Sequence, residues 1–339
     1  MLVIKNDNYG EHFPKWTFHL GNQIYSTKDK PSRVDVILKA LSRDDTFKIV
    51  HSRQFPEKYI SKHHPYHGFI KRVSASIKDP TEEIYPDLFP GEGANLPKKM
   101  DNPLWAGLFC TDSVTPLTSR TYEVARGSAE TALTGAELLL KKNQREVYAL
   151  CRPSGHHAGP RLFGGYCYFN NSATAAHYLS DKGCVAILDI DYHHGNGTQE
   201  FFYKRKDVFT CSIHGDPDVE YPYFWGYSNE KGEGDGKGAN LNLALPLKSG
   251  DSVYPGALDK ALEAIGHFKP DFLIIGAGFD TYKNDPIGGF LLTSAVYKTI
   301  GAKIASLGFP TLICQEGGYH IRFLGAFVSQ FLKGFMSGR

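Results

Sequence analysis

From about residue 118 onward, short β-branched runs alternate with longer helical patterns, and this alternation leaves few architectures open. The strand-like runs are Val147 to Cys151, Cys184 to Asp191, Val208 to His214, Phe272 to Gly276 and Thr311 to Gln315, none long or amphipathic enough to be a surface helix. Between them the spacing predicts helices over roughly 119–142, with Thr118 or Ser119 as N-cap, and over 170–181, 252–267 and 293–306. Strands joined through helices build a mostly parallel sheet covered on both faces, so the expected fold class is α/β.

In an open parallel sheet ligands bind at the carboxyl ends of the strands, so the residues just after each run are informative. His156 and His157 come after the first run, in RPSGHHAG. The second ends in LDIDYHHGNG with Asp189, Asp191 and His193, and the third holds Ser212, Ile213 and His214. The fourth runs into AGFD with Asp280, and the fifth into EGGY with Tyr319. Five strand ends thus deliver imidazole, carboxylate and phenol to one edge. In extended backbone Asp191 and His193 would point to the same side, and Asp280 could close a three-ligand set. Such a set suits Zn²⁺ with room for water, although Fe²⁺, Co²⁺ or Mn²⁺ would also accept it. Asp189 is placed either to orient a histidine or to help bind a hard monovalent cation. One of His156 and His157 can move a proton between water and a leaving group. Gly317 and Gly318 allow a sharp turn that aims the Tyr319 hydroxyl at a developing oxyanion. His194 alternates away from His193 and is expected to be packed. These residues reach metal-assisted hydrolysis, with the scissile group open.

Composition removes other classes. Lys plus Arg total 38 against 36 Asp plus Glu, and a formal charge of +2 supplies little field for nucleic acid. No run of 18 apolar residues suggests a membrane span, and the Met1 start lacks a signal-peptide pattern, so a cytoplasmic location is expected. Six dispersed cysteines without C-x-x-C spacing read as reduced core residues. Between 79 and 104 five prolines and six acidic residues interrupt the pattern; Ile84, Tyr85, Leu88, Phe89 and Leu96 point to a docked functional loop. The glycine-dense stretch from Gly232 to Asn240 lacks calcium-loop spacing and reads as a shaped turn.

Taken together, RPSGHHAG, FGGYCYFNN, ILDIDYHHGNGTQ, SIHGDP, GFDTYKNDP and EGGY, in this order over about 150–320, resemble the zinc-dependent histone deacetylase superfamily, and most of all its bacterial acetylpolyamine amidohydrolase branch. The resemblance implies one domain over 1–339, with a central parallel sheet of about eight strands and a Pro-rich insertion at about 79–104. It makes Asp191, His193 and Asp280 zinc ligands, His157 the general base and acid, and His156 its electrostatic partner held by Asp189. Tyr319 would polarise the acetyl carbonyl. A structural K⁺ would use Asp189, Asp191, the His193 backbone, Ser212 and the Ile213 backbone. Tyr166 and Tyr221 would wall a narrow substrate tunnel, with Gly165 and Asp112 beside it. Asn196 replaces an aspartate seen in some relatives, so His157 is expected to be neutral at physiological pH. Val114 stands where the family often has a rim carboxylate, leaving Asp112 as a nearby acid of uncertain direction.

The implied substrate is a small N-acetylated polyamine or diamine, and the implied assembly a homodimer through the 79–104 loop, whose acids could attract a polycation. Protein acetyl-lysine deacetylation is the alternative. An arginase-like two-manganese centre lacks its ligands, because Gly195 and Tyr282 occupy the positions where further carboxylates are needed. A catalytically dead amine-binding protein is disfavoured, since nothing essential is missing.

Overall fold

The computed structural model describes residues 1–19, 23–90, 102–141 and 144–338. In chain order the strands are β1 (Leu2–Lys5), β2 (Trp16–His19), β3 (Gln23–Ser26), β4 (Lys48–His51), β5 (Glu146–Ala149), β6 (Val185–Asp189), β7 (Val208–Gly215), β8 (Asn240–Leu245), β9 (Phe272–Ala277) and β10 (Thr311–Gln315). β2 and β3 form an antiparallel hairpin. The other strands make one eight-stranded sheet, ordered β4-β1-β5-β10-β9-β6-β7-β8, and every neighbouring pair is parallel.

Successive strand residues go to opposite faces, as a period of two requires. Val3, Tyr148, Ala186, Leu188, Leu273, Ile275 and Ile313 join one cluster with helices Ser32–Leu41, Tyr254–Phe268, Val296–Ala305 and Ile321–Ser337. Ile4, Val147, Ala149, Val185, Ile187, Ile274, Leu312 and Cys314 join the other, with helices Thr121–Leu140 and Asn171–Ser180. Both faces are therefore buried, which is why β6 and β10 read as nearly unbroken apolar runs. A third cluster, including Phe69, Tyr122, Phe163, Tyr168 and Phe169, anchors the segment that carries Gly165 and Tyr166.

The five expected strands are β5, β6, β7, β9 and β10. β1 and β4 escaped because four residues give too little periodicity. β8 escaped because its pattern is inverted: Asn240 and Asn242 are buried and donate to Gln199 Oε1 at 2.9 and 2.8 Å, while its leucines are half-buried. The expected cap at Thr118 or Ser119 is corrected. The helix begins at Thr121 after Arg120, which makes no side-chain cap bond. The Thr118 hydroxyl is instead shared with His12 Nδ1 at 3.1 Å and the Arg120 N–H at 3.2 Å.

Of the proline-rich segment, 91–101 lies outside the described residues. The part before it docks through paired backbone bonds between Ile84 and Leu117, both 2.8 Å, and its far end becomes a 3₁₀ helix, Pro103–Leu108. The 232–240 stretch turns through a short 3₁₀ segment, Gly234–Gly236, into β8. Five of the six cysteines are buried, Cys184 is half-buried, and all are unpaired.

Candidate active site

β6 stops at Asp189, short of the expected Asp191, because the backbone turns on its own carboxylates. The Asp191 N–H donates to Asp189 Oδ1 at 3.0 Å, and the His193 N–H donates to Asp191 Oδ1 at 2.9 Å. Asp191 and His193 thus share one point through two side-chain-capped turns rather than through the pleat of a strand. Asp280 enters from the loop after β9 and accepts from the Tyr192 N–H at 2.9 Å. His193 Nδ1 lies 3.2 Å from Asp191 Oδ1 and 3.1 Å from Asp280 Oδ2.

The three groups are buried, and one ligand atom from each lies within 4.8 Å of the others. Their electrostatics call for a cation. Burial, and then the charge of Asp191, push the Asp280 carboxyl up to about 7. At Asp191 burial is outweighed by His156 and His193, which hold its carboxyl below the usual range. Two carboxylates and an imidazole around one buried, negative point fit a divalent cation such as Zn²⁺.

The two histidines after β5 are tuned in opposite directions. His156 Nδ1 meets Asp189 Oδ2 at 2.9 Å; burial opposes its charge, but Asp189 and Asp191 prevail and raise it to about 10. His157 Nδ1 meets Asn196 Oδ1 at 2.8 Å, and burial, reinforced by the charges of His156 and His193, drives it well below its ordinary value. The rings are 3.9 Å apart, so one cation beside one neutral base is the stable arrangement.

Tyr319 sits on a loop fixed from three sides. The Gly317 N–H donates to Asp191 Oδ2 at 2.7 Å, and a Cβ at Gly317 would fall 2.4 Å from Asp280 Oδ2, so this approach demands glycine. The N–H groups of Tyr319 and His320 donate to Asp285 Oδ2 at 2.7 and 3.0 Å. Arg33 lies 4.6 Å over the Tyr319 ring and donates to the carbonyls of Gly318 and Glu316 at 2.7 and 2.5 Å. Burial pushes the Tyr319 phenol well above its usual range, keeping its proton on as a donor.

Tyr221 stands edge-on to His157, with ring centroids 4.9 Å apart, and Tyr166 lies 6.1 Å from Tyr319. Gly165 has φ of 57°, and a Cβ there would come within 2.3 Å of His157 Cδ2. The uncertain direction of Asp112 resolves inward. Its carboxylate accepts from Gly165 N–H (2.6 Å), Tyr221 hydroxyl (2.9 Å), Val114 N–H (2.9 Å) and Thr115 hydroxyl (2.8 Å), so it braces the segments that carry Gly165 and Tyr221. His194 is buried 4.5 Å from the His214 ring. Asp189 and Ser212 line a small cavity of about 10 Å³; Ile213, next along β7, is buried.

Sequence reasoning missed Glu316, Asp285 and the buried Arg33–Asp29–Arg152 cluster. Glu316 Oε2 accepts from the N–H groups of Gly155 and His156 at 2.7 and 3.2 Å, and Oε1 from Ser172 at 3.4 Å. Glu316 also stands near His156 and Cys167 in a grouping of metal-ligating types. These bonds occupy its carboxylate, so it serves as a clamp between the Tyr319 loop and the histidine loop. Asp29 joins Arg33 at 2.7 Å to Arg152 at 3.3 Å. A buried acid within EGGY and another within GFDTYKNDP were the available signals.

These groups suit the metal-assisted amide hydrolysis of deacetylases. The family model described as the histone deacetylase domain matches residues 27–335, and the chain belongs to this family. It is 38% identical over 343 residues to acetylpolyamine amidohydrolase 1 of Pseudomonas aeruginosa, covering 99% of each chain. It is 44% identical over 230 residues to the acetylpolyamine amidohydrolase of Mycoplana ramosa, covering 67% of each. The crystal structure of an acetylpolyamine aminohydrolase from Burkholderia pseudomallei superposes with a TM-score of 0.94 at 34% identity, covering 100% of this chain and 99% of that one.

Proposed function

We propose that this enzyme removes acetyl groups from N-acetylated polyamines or diamines, releasing acetate and the free amine. The observation that carries the reading is the neutral, Asn196-held His157 beside the buried Asp191–His193–Asp280 cluster, in a chain similar over almost its whole length to acetylpolyamine amidohydrolases.

Asp191, His193 and Asp280 would hold Zn²⁺, which when bound supplies Lewis-acid polarisation of the amide carbonyl and of water. With Nδ1 directed to Asn196, His157 has Nε2 free to take a proton from the attacking water and return it to the departing amine. His156, kept charged by Asp189, stabilises the negative charge that develops nearby. Tyr319 donates its hydroxyl proton as a hydrogen bond to the acetyl oxygen. Tyr166 and Tyr221 flank the alkyl chain. Asp189 and Ser212, with Asp191 and the backbones of His193 and Ile213, are the candidate K⁺ ligands.

Leu88, Phe89 and Leu104, exposed on the flanks of the proline-rich segment, support a homodimer contact there that narrows the mouth for a slender amine. Among the described residues no helix is long and apolar enough to cross a membrane. A cytoplasmic location belongs to the same proposal. The test is turnover of acetylputrescine, acetylcadaverine, acetylspermidine and acetyl-lysine peptides by zinc-reconstituted enzyme, alongside gel filtration. Small acetylated amines should be cleaved fastest by a dimer; faster peptide cleavage would sink the reading.

A further inference from the structure

The loop after β7 holds its aromatic side chains out in solvent at a conformational cost. Tyr223, Phe224 and Trp225 are 38%, 79% and 41% exposed, and Tyr223 and Phe224 have φ of 53° and 58°. Left-handed backbone at two consecutive bulky residues is unfavourable, and core packing does not offset it, because these side chains lie largely outside the core. The rings nevertheless form a continuous series. From His157 to Tyr221 the centroid distance is 4.9 Å, and the steps to Tyr223, Phe224 and Trp225 are 6.4, 6.3 and 6.4 Å. A cavity of about 660 Å³ is lined by His157, Asn196 and Trp225 with Glu200, Glu230, Arg161 and Lys204, and by none of Asp191, His193, Asp280 or Tyr319, so it meets His157 from the Asn196 side.

Within the loop itself the charges have one sign, while Arg161 and Lys204 line the cavity that Trp225 borders. Between Asp207 and Glu230 there is no Lys or Arg, while Asp216, Asp218, Glu220 and Glu230 fall in the same stretch. Asp112, the acid beside the tunnel, already accepts four hydrogen bonds, and Val114 offers no charge. A substrate amine beyond the acetylated end is protonated at neutral pH, as a lysine amine is. Open aromatic faces attract such a cation through their quadrupoles, and nearby acids deepen the attraction.

We propose that Tyr223, Phe224 and Trp225 form a cation-π subsite for the distal ammonium of the polyamine. This rests on the proposed function and adds to it a source of selectivity: an acetylated amine with a free ammonium is preferred over an uncharged amide of equal length. The strained backbone turns the rings outward at the end of the ring series that starts at His157.

The experiment compares kcat/KM for acetylputrescine with that for N-pentylacetamide, its uncharged counterpart of equal length, as a ratio. Phe224→Leu and Trp225→Leu should each lower the ratio about 2- to 5-fold, the double variant about 10-fold, and Phe224→Tyr should restore it. Calorimetric binding of putrescine, which needs no turnover, should weaken by the same factors. Equal losses on both substrates, an unmoved ratio with unmoved putrescine binding, or losses that track a change of oligomeric mass by light scattering would overturn the subsite. If wild-type enzyme cleaved neither substrate the proposed function would fall, while the putrescine titration would still decide the subsite.

Discussion

At the floor of the site almost every carboxylate is spent on backbone N–H groups, whereas at the rim the rings of Tyr223, Phe224 and Trp225 face solvent. Asp189, Asp191, Asp280, Asp285 and Glu316 together accept N–H bonds from the loops after β5, β6, β9 and β10. Each such loop has left the sheet and lost its ladder partners, so buried carboxylates take over that role. The rim loop after β7 has bulky residues with φ above zero and exposed faces instead. On the proposed reading the floor holds the reacting atoms still and sets kcat, while the rim makes weaker, adaptable contact and sets selection among amines.

The largest expected effect strikes the floor alone. His157→Ala should lower kcat by about 10²- to 10⁴-fold while zinc content and melting temperature stay close to wild type. Zinc analysis with steady-state kinetics checks this, and a loss of metal in parallel with activity would make His157 part of the metal site rather than the base. Next comes the clamp. Glu316→Ala should cost about 10²-fold in kcat with KM little changed, because His156 and His157 and the Tyr319 loop lose their common anchor. Glu316→Gln should recover most of it, since an amide oxygen can accept from Gly155 and His156 and its NH₂ can face Ser172. A Gln variant as poor as Ala would show that the negative charge, not the clamp, is what matters.

Asp112 joins the two regions, reaching Gly165 behind His157 and the Tyr221 hydroxyl at the start of the rim series. Asp112→Ala is therefore expected to disturb both parameters, lowering kcat/KM about 10-fold through a fall in kcat and a rise in KM together. A change confined to KM would detach Asp112 from the floor and return it to the rim.

The parts legible in the sequence are those with strong local periodicity or several chemical groups at one spacing. β6, β9 and β10 were readable because both their faces are apolar, β7 because Phe209, Cys211 and Ile213 make one apolar face, and the strand-end histidines and aspartates because their loops come directly after those runs. The order of the sheet was not readable, since β1 and β4 are short and β8 turns asparagines inward toward Gln199. The turn that brings Asp191 to His193 was misjudged as strand, because side-chain capping by Asp189 leaves no trace in an apolar pattern. Arg33, Asp29 and Arg152 carry no local signal at all. They are buried as a set only because elements far apart in the chain, residues 29–33 and 152, meet beneath the Tyr319 loop.

The smallest effect lies outside both regions and tests whether acid sensitivity arises from the site or from the scaffold behind it. His177, on the helix Asn171–Ser180, stacks on His63 with centroids 3.6 Å apart and planes within 8°. Its Nδ1 lies 3.0 Å from the Arg205 guanidinium. Burial is the main cause at both; the charges of Lys62 and Arg205, against Asp181, hold His63 near 4, and those of His63, Arg205, His64 and Lys62 hold His177 near 2. Because folding depresses both values, the unfolded chain binds more protons below its histidine pKa of about 6.5. The stabilisation from keeping these rings neutral is complete above that pH and is lost as pH falls from there toward 4 and below. The double variant His63→Phe, His177→Phe should keep the stack and flatten the decline of melting temperature between pH 7 and 4.5. Buried His12 and His64, each held near 3, would preserve part of the slope. An unaltered decline in the double variant would place the acid sensitivity elsewhere, with those two residues and the histidines of the floor as the remaining sources.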